Sequence, residues 1–159
     1  MPAEPSTTAR RCGECTACCD GWLKIRIRGH DVHPGQPCPF SSAGKCTIYD
    51  ERPVDPCRNF VCGWLTLTSP LPDWMRPDKS DVIFLPASFV WRTIPVDVAV
   101  AIGARPKAKA RAWLEAFSRD ARRPLLLQSD GDWHAFGPPQ FLSDMVERLA
   151  DTRDPWQPI

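Results

Sequence analysis

Every cysteine of this 159-residue chain lies between Cys12 and Cys62, and the long remainder contains none. Four come as one run, Cys12, Cys15, Cys18 and Cys19, spaced C-x2-C-x2-C-C, and the others are Cys38, Cys46, Cys57 and Cys62. Thiols packed this densely must be satisfied by a metal, a cluster or disulfides, and that choice governs how the N-terminal part can fold. The run from Cys12 to Cys19 has no apolar period, so it reads as a loop wrapped around a ligand.

The surrounding sequence bears on which of the three applies. Residues 1–11 are polar, with two prolines and Arg10-Arg11, and lack the apolar run of a secretory signal. No stretch approaches the length of a membrane span. The expectation is a cytoplasmic protein with no membrane partner, in a compartment where thiols stay reduced and a cysteine cluster means metal. A disulfide scaffold is the alternative and needs an export route that this N-terminus does not show. A net charge of +1 argues against a chain-wide role on nucleic acid. The chain is long enough to bury a hydrophobic core, so the cysteines are not needed merely to rescue a small fold.

A C-x2-C spacing turns two thiolates toward one centre while backbone N–H groups point at the sulfurs, a device shared by zinc sites and iron–sulfur clusters. Zinc ribbons repeat the knuckle, whereas the later cysteines here are separated by seven, ten and four residues and form no second one. Three cysteines in C-x2-C-x2-C rhythm, with a later Cys38-Pro39, lie closer to the ferredoxin pattern. Spacing thus favours iron–sulfur over zinc. Cys18 and Cys19 are adjacent and in an extended segment point to opposite sides, so they do not readily share one tetrahedral ion. Eight thiols divide into two four-cysteine sites if Cys18 and Cys19 part between them. His30 and His33 precede Cys38 and could replace a thiolate, but read more simply as exposed loop histidines. His134 reads as an ordinary strand residue.

The cluster, together with Cys46-Thr47-Ile48-Tyr49-Asp50-Glu51-Arg52-Pro53 and Cys57-Arg58-Asn59-Phe60-Val61-Cys62, resembles the CxxCxxCC cysteine-cluster proteins. These are described as zinc- or iron-chelating domains, and a similar cluster occurs in a flagellin lysine N-methylase. The resemblance spans residues 12–62 and uses all eight cysteines. It implies Cys12, Cys15, Cys18, Cys19, Cys38, Cys46, Cys57 and Cys62 as metal ligands, with zinc, iron or an iron–sulfur cluster as cofactor. The methylase link also implies iron–sulfur-dependent redox or group-transfer chemistry as an alternative, although no methyltransferase glycine motif accompanies the cluster. Arg52 and Arg58 would offset thiolate charge, and Tyr49 and Phe60 would exclude water. Alternatively Arg52 caps a turn and the aromatics are lobe core.

The expected fold class is α+β: a small mixed or antiparallel sheet with two helices and an N-terminal cysteine-rich metal-binding lobe. Residues 1–11 read as a flexible N-terminus, 12–62 as the lobe, and 63–159 as an α+β remainder packed on it. Residues 23–28 alternate strictly and predict a half-buried strand, followed by a turn-rich connection over 29–39. Residues 50–53 predict a turn or one helical turn, residues 64–67 fit helix or strand, and 70–79 predict a loop. Branched and aromatic runs at 82–85, 89–94 and 96–102 predict strands. Residues 125–136 predict a hairpin around Asp130-Gly131.

A helix over 106–122 should bury Ala110, Trp113, Leu114, Phe117 and Ala121, and one after Pro138-Pro139 should bury Phe141, Leu142, Met145, Val146 and Leu149. Opposite the first stripe, Lys107, Lys109, Arg111, Arg119, Arg122 and Arg123 offer a basic face for an acidic partner, or simply a solvated helix face. The scattered Trp22, Trp64, Trp74, Trp91, Trp113, Trp133 and Trp156 read as packing. No nucleophile elbow, phosphate loop or H-E-x-x-H is present, so no catalytic residue stands out. The expected function is metal binding through the cysteines.

Overall fold

The computed structural model describes residues 10, 15, 17–18, 25–32, 36–43, 45–58, 61–66, 69–103 and 105–150. Cys12, Cys19, Trp22, His33, Phe60 and Trp156 lie outside the described residues, as do residues 23–24 of the predicted first strand.

The cysteine-rich part contains two short hairpins. Strand β1 (Ile25–Ile27) pairs antiparallel with β2 (His30–Val32). Arg28 and Gly29 both take positive φ, 47° and 83°, as a tight turn matching the strand twist requires. The predicted connection over 29–39 therefore begins with a strand, because Gly29 closes a turn instead of opening a loop. His30 is exposed, as expected, but stands at the start of β2, its ring edge-on to Phe40. Strands β3 (Ser41–Ser42) and β4 (Lys45–Cys46) form the second hairpin, with Ser41 opposite Cys46. Ile27, Val32 and Cys38 are buried together, with Ile25, Phe40 and Cys57 packed against them. A single helical turn follows at Tyr49–Glu51, one of the two forms expected over 50–53.

The remainder is built on one mixed sheet. Strand β5 (Val82–Trp91) runs antiparallel to β6 (Ile94–Ala101), β6 is parallel to β7 (Leu125–Ser129), and β7 is antiparallel to β8 (Asp132–Phe136). The sheet order is β5-β6-β7-β8. The parallel pair requires a crossover, and helix α2 (Ala108–Asp120) provides it. Two other helices complete the fold, α1 (Pro77–Ser80) and α3 (Pro139–Leu149). Two helices were expected, and the third begins within the predicted loop 70–79. There Pro77 occupies the first helical position, where its missing N–H costs nothing. Residues 64–66 of the undecided segment form a turn, and Leu67 lies outside the described residues.

The runs 82–85 and 89–94 are not two strands. They belong largely to one strand, β5, whose register slips between Leu85 and Phe89. Pro86 cannot donate to the ladder, which favours a bulge there. The chain reverses instead at Arg92-Thr93, both with positive φ and neither a glycine, so the turn carried no sequence signal. The hairpin at Asp130-Gly131 forms as predicted.

Side chains alternate cleanly across the sheet. Val82, Phe84, Ala99, Leu125 and Leu127 face α2, where they pack with Ala110 and Leu114 and with Trp64, Leu71 and Met75. Ile83, Val96, Val98, Val100 and Leu126 face α3 and pack with Phe141 and Met145. Both faces are covered, which is why the central strands read as apolar runs without alternation. On α2, Ser118 is buried where Ala121 was expected, because its hydroxyl donates to the carbonyl of Arg123 at 2.7 Å. On α3, Leu142 and Val146 are exposed, Val146 at 70%, so the buried stripe is narrower than predicted. The five described tryptophans are all at least partly buried, as packing residues should be.

The bulge is locked by charge. Asp97, only 1% exposed, accepts from the Ala87 N–H at 2.9 Å and from Arg123 at 2.6 and 3.2 Å. Asp97→Ala would leave the part-buried Ala87 N–H and a half-buried guanidinium without their acceptor. We expect a loss of about 2 kcal/mol in a denaturant titration, below the usual range for a broken buried pair because Arg123 keeps partial access to water.

Candidate metal centre

A cavity of roughly 410 Å³ opens where the cysteine-rich part meets the sheet. Four cysteines line it: Cys15 and Cys18 from the N-terminal run, and Cys57 and Cys62 from the end of the cysteine-rich stretch. Tyr49, Arg52, Arg58 and Arg10 supply polar and aromatic wall, and Ala17, Leu65 and Ile83 the apolar wall. Cys57 also packs against the small core that holds Cys38, so it joins the cavity to the hairpins. Cys46, in β4, is not on the cavity wall. Cys15, Cys46 and Cys62 stand as thiols. Among the described residues, no three His, Cys, Asp or Glu side chains converge tightly enough to hold a metal ion. The four thiols share a cavity, not a point.

Cys62 is held in place by a close approach of backbones. The Gly63 N–H donates to the Phe84 carbonyl of β5 at 2.6 Å. A Cβ at position 63 would collide with the Phe84 ring and lie 2.8 Å from that carbonyl. Only glycine lets this segment lie flat on the sheet edge. Burial pushes the Cys62 thiol above its ordinary range, opposed by backbone hydrogen bonds from Leu65 and Trp64, while the nearby Cys15 adds to the rise. Any cation bound there must therefore displace a proton.

Arg10, which also lines the cavity, is anchored to the segment that follows Cys62. Its guanidinium donates to the carbonyls of Trp64 and Leu71 at 2.8 and 2.7 Å and pairs with Asp73 at 3.0 Å. It also lies 4.7 Å over the Trp64 ring, and its side chain is only 13% exposed. Nothing local to Arg10-Arg11 marks this role, because all its partners are distant in sequence.

The arginines within the resemblance do two jobs at once. Each carbonyl of the Tyr49–Glu51 turn receives a guanidinium: Arg52 on Tyr49 at 2.8 Å, Arg58 on Asp50 at 2.7 Å and Arg28 on Glu51 at 2.9 Å. Arg52 thus caps the turn, as one expectation had it, and Arg52 and Arg58 also line the cavity beside the thiols. Tyr49 is 53% exposed and stacked by Arg52 at 3.7 Å, so it is an outer wall and not lobe core.

The basic face of α2 is largely engaged within the chain. Lys109 lies 4.1 Å over the Trp74 ring, Arg111 pairs with Glu115, Arg119 with Asp120, and Arg123 with Asp97. His134 sits in β8 opposite Leu127, as an ordinary strand residue. No helix among the described residues is long and apolar enough to cross a membrane. No protein-family model, curated protein or solved structure matches the chain.

Proposed function

We propose that the protein binds zinc or iron through cysteine thiolates, with an iron–sulfur cluster favoured by the C-x2-C-x2-C rhythm. The observation that carries this reading is the shared cavity, which gathers Cys15 and Cys18 with Cys57 and Cys62 from the far end of the cysteine-rich stretch. These four are one centre in our reading. Cys12, Cys19, Cys38 and Cys46 remain for a second, so Cys18 and Cys19 part as their adjacency requires. The likeness to the CxxCxxCC proteins points the same way.

The fold suits that role in three ways. Backbone N–H groups of Trp64 and Leu65 reach the Cys62 sulfur and would stabilise it as a thiolate. Arg52 and Arg58 bring positive charge to a wall that four deprotonated thiols would make strongly negative. Ile83 and Leu65 keep one side apolar. A bound ion or cluster would neutralise thiolate charge and draw the two ends of the cysteine-rich stretch together, which couples loading to folding.

The size of the cavity favours a second reading, redox or group-transfer chemistry at an iron–sulfur centre. A purely structural site is saturated and shielded, whereas roughly 410 Å³ leaves room for a small molecule beside the thiols.

Metal and acid-labile sulfide analysis of anaerobically purified protein, with its visible spectrum, tests both readings. Iron with sulfide and a brown chromophore is the expected result. Zinc without sulfide would keep metal binding and remove the redox reading. Protein that neither carries nor takes up either metal would end both.

A further inference from the structure

A second cavity, of roughly 620 Å³, lies between the C-terminal end of α2, strand β8 and the start of α3, and shares no wall residue with the cysteine cavity. Ile94, Phe136 and Leu142 form its apolar side, and Ile94 and Leu142 are exposed despite their size. Arg119, Arg122 and Arg123 form its basic side. Arg123 is committed to Asp97, and Arg119 makes a surface pair with its neighbour Asp120, of little energetic weight. Arg122 has no carboxylate partner among the described residues. Glu115, the acid on this wall, is taken up by Arg111 at 3.2 Å. The cavity therefore joins an available cation to an uncovered apolar surface.

The backbone of Arg122 adds to this. Helix α2 closes with the Arg123 N–H on the Ser118 carbonyl at 3.0 Å and the Arg122 N–H on Arg119 at 3.4 Å. That closure places one residue in the left-handed region, where glycine is preferred. Arg122 occupies it with φ 53°. An arginine held there at a conformational cost, on the wall of an open cavity, is the kind of strain that accompanies binding sites.

We propose that this cavity binds a small amphipathic anion, its carboxylate or phosphate head held by Arg122 and Arg119 and its hydrocarbon body laid against Ile94, Phe136 and Leu142. Charge-assisted contacts orient the head, and apolar burial supplies affinity. The volume falls within the range of small-molecule sites.

The test is calorimetric titration of the full chain with octanoate, octyl phosphate and the neutral 1-octanol. Both anions should bind saturably, and 1-octanol more than about tenfold more weakly, because it forgoes the charge-assisted contacts of both arginines. Arg122→Gly should weaken both anions about tenfold and leave 1-octanol unchanged. The same variant should melt about 3 °C higher, because glycine relieves the left-handed strain, so weaker binding cannot be blamed on unfolding. Leu142→Ser should weaken all three ligands. The proposal fails if nothing binds saturably, if 1-octanol matches octanoate, or if Arg122→Gly binds octanoate as the parent does.

Discussion

Cys62→Ser is expected to cut metal affinity more than about a hundredfold, beyond the upper end of what changes around a metal's ligands usually cost. Serine is close in shape but is a poor ligand for the soft, thiolate-preferring ions that such clusters select. Cys62 is the thiol whose position the sheet defines best, through the neighbouring Gly63 bond to Phe84. It is also electrostatically coupled to Cys15. If Cys15, Cys18, Cys57 and Cys62 form one centre, Cys62→Ser and Cys15→Ser should each remove the same fraction of the bound metal. Cys46→Ser should remove the other fraction. Elemental analysis after dialysis against a chelator reads this directly. Cys62→Ser protein that keeps its full metal content would exclude the cavity as the centre.

Gly63→Ala is expected to cost about 3 kcal/mol, the sum of overpacking and a weakened buried hydrogen bond. The added methyl would meet the Phe84 ring, which is fixed in the core facing α2, and the Phe84 carbonyl at 2.8 Å. Neither can move without displacing β5. The outcome that distinguishes this variant from an ordinary core defect is its second effect. Moving residue 63 off the strand carries Cys62 away from Cys15, so metal should be lost together with stability. A denaturant titration and a metal assay on the same preparation measure both. A variant as stable as the parent would mean that the segment does not lie on the sheet edge.

Asp97 and Gly63 grip β5 at its irregular part from two directions. Asp97 holds the Ala87 N–H within the bulge, and the Phe84 carbonyl just before it accepts the Gly63 N–H. The cysteine cavity is therefore anchored to a stretch of sheet that is itself locked by a partly buried ion pair.

What could be read from sequence was whatever depends on near neighbours. The helices centred on Leu114 and Phe141, with narrower buried stripes than expected, and the Asp130-Gly131 turn follow from periodicity and local backbone preference. The α+β class followed from their order. The C-x2-C-x2-C rhythm singled out Cys12, Cys15 and Cys18 as ligand candidates, and of these Cys15 and Cys18 line the cavity. Tertiary structure alone decided the rest. Pro86 turned two expected strands into one bulged strand because a carboxylate ten residues on satisfied the bulge. Arg92-Thr93 made a turn without a glycine because the register of β5 and β6 required one. Arg10, on the cavity wall, and Gly63, which positions the neighbouring Cys62, carry no local signal. One acts through carbonyls more than fifty residues away, the other through the absence of a side chain where two backbones touch. Spacing along the chain records which residues can share a turn of structure, whereas which thiols share a cavity depends on how the sheet edge is packed.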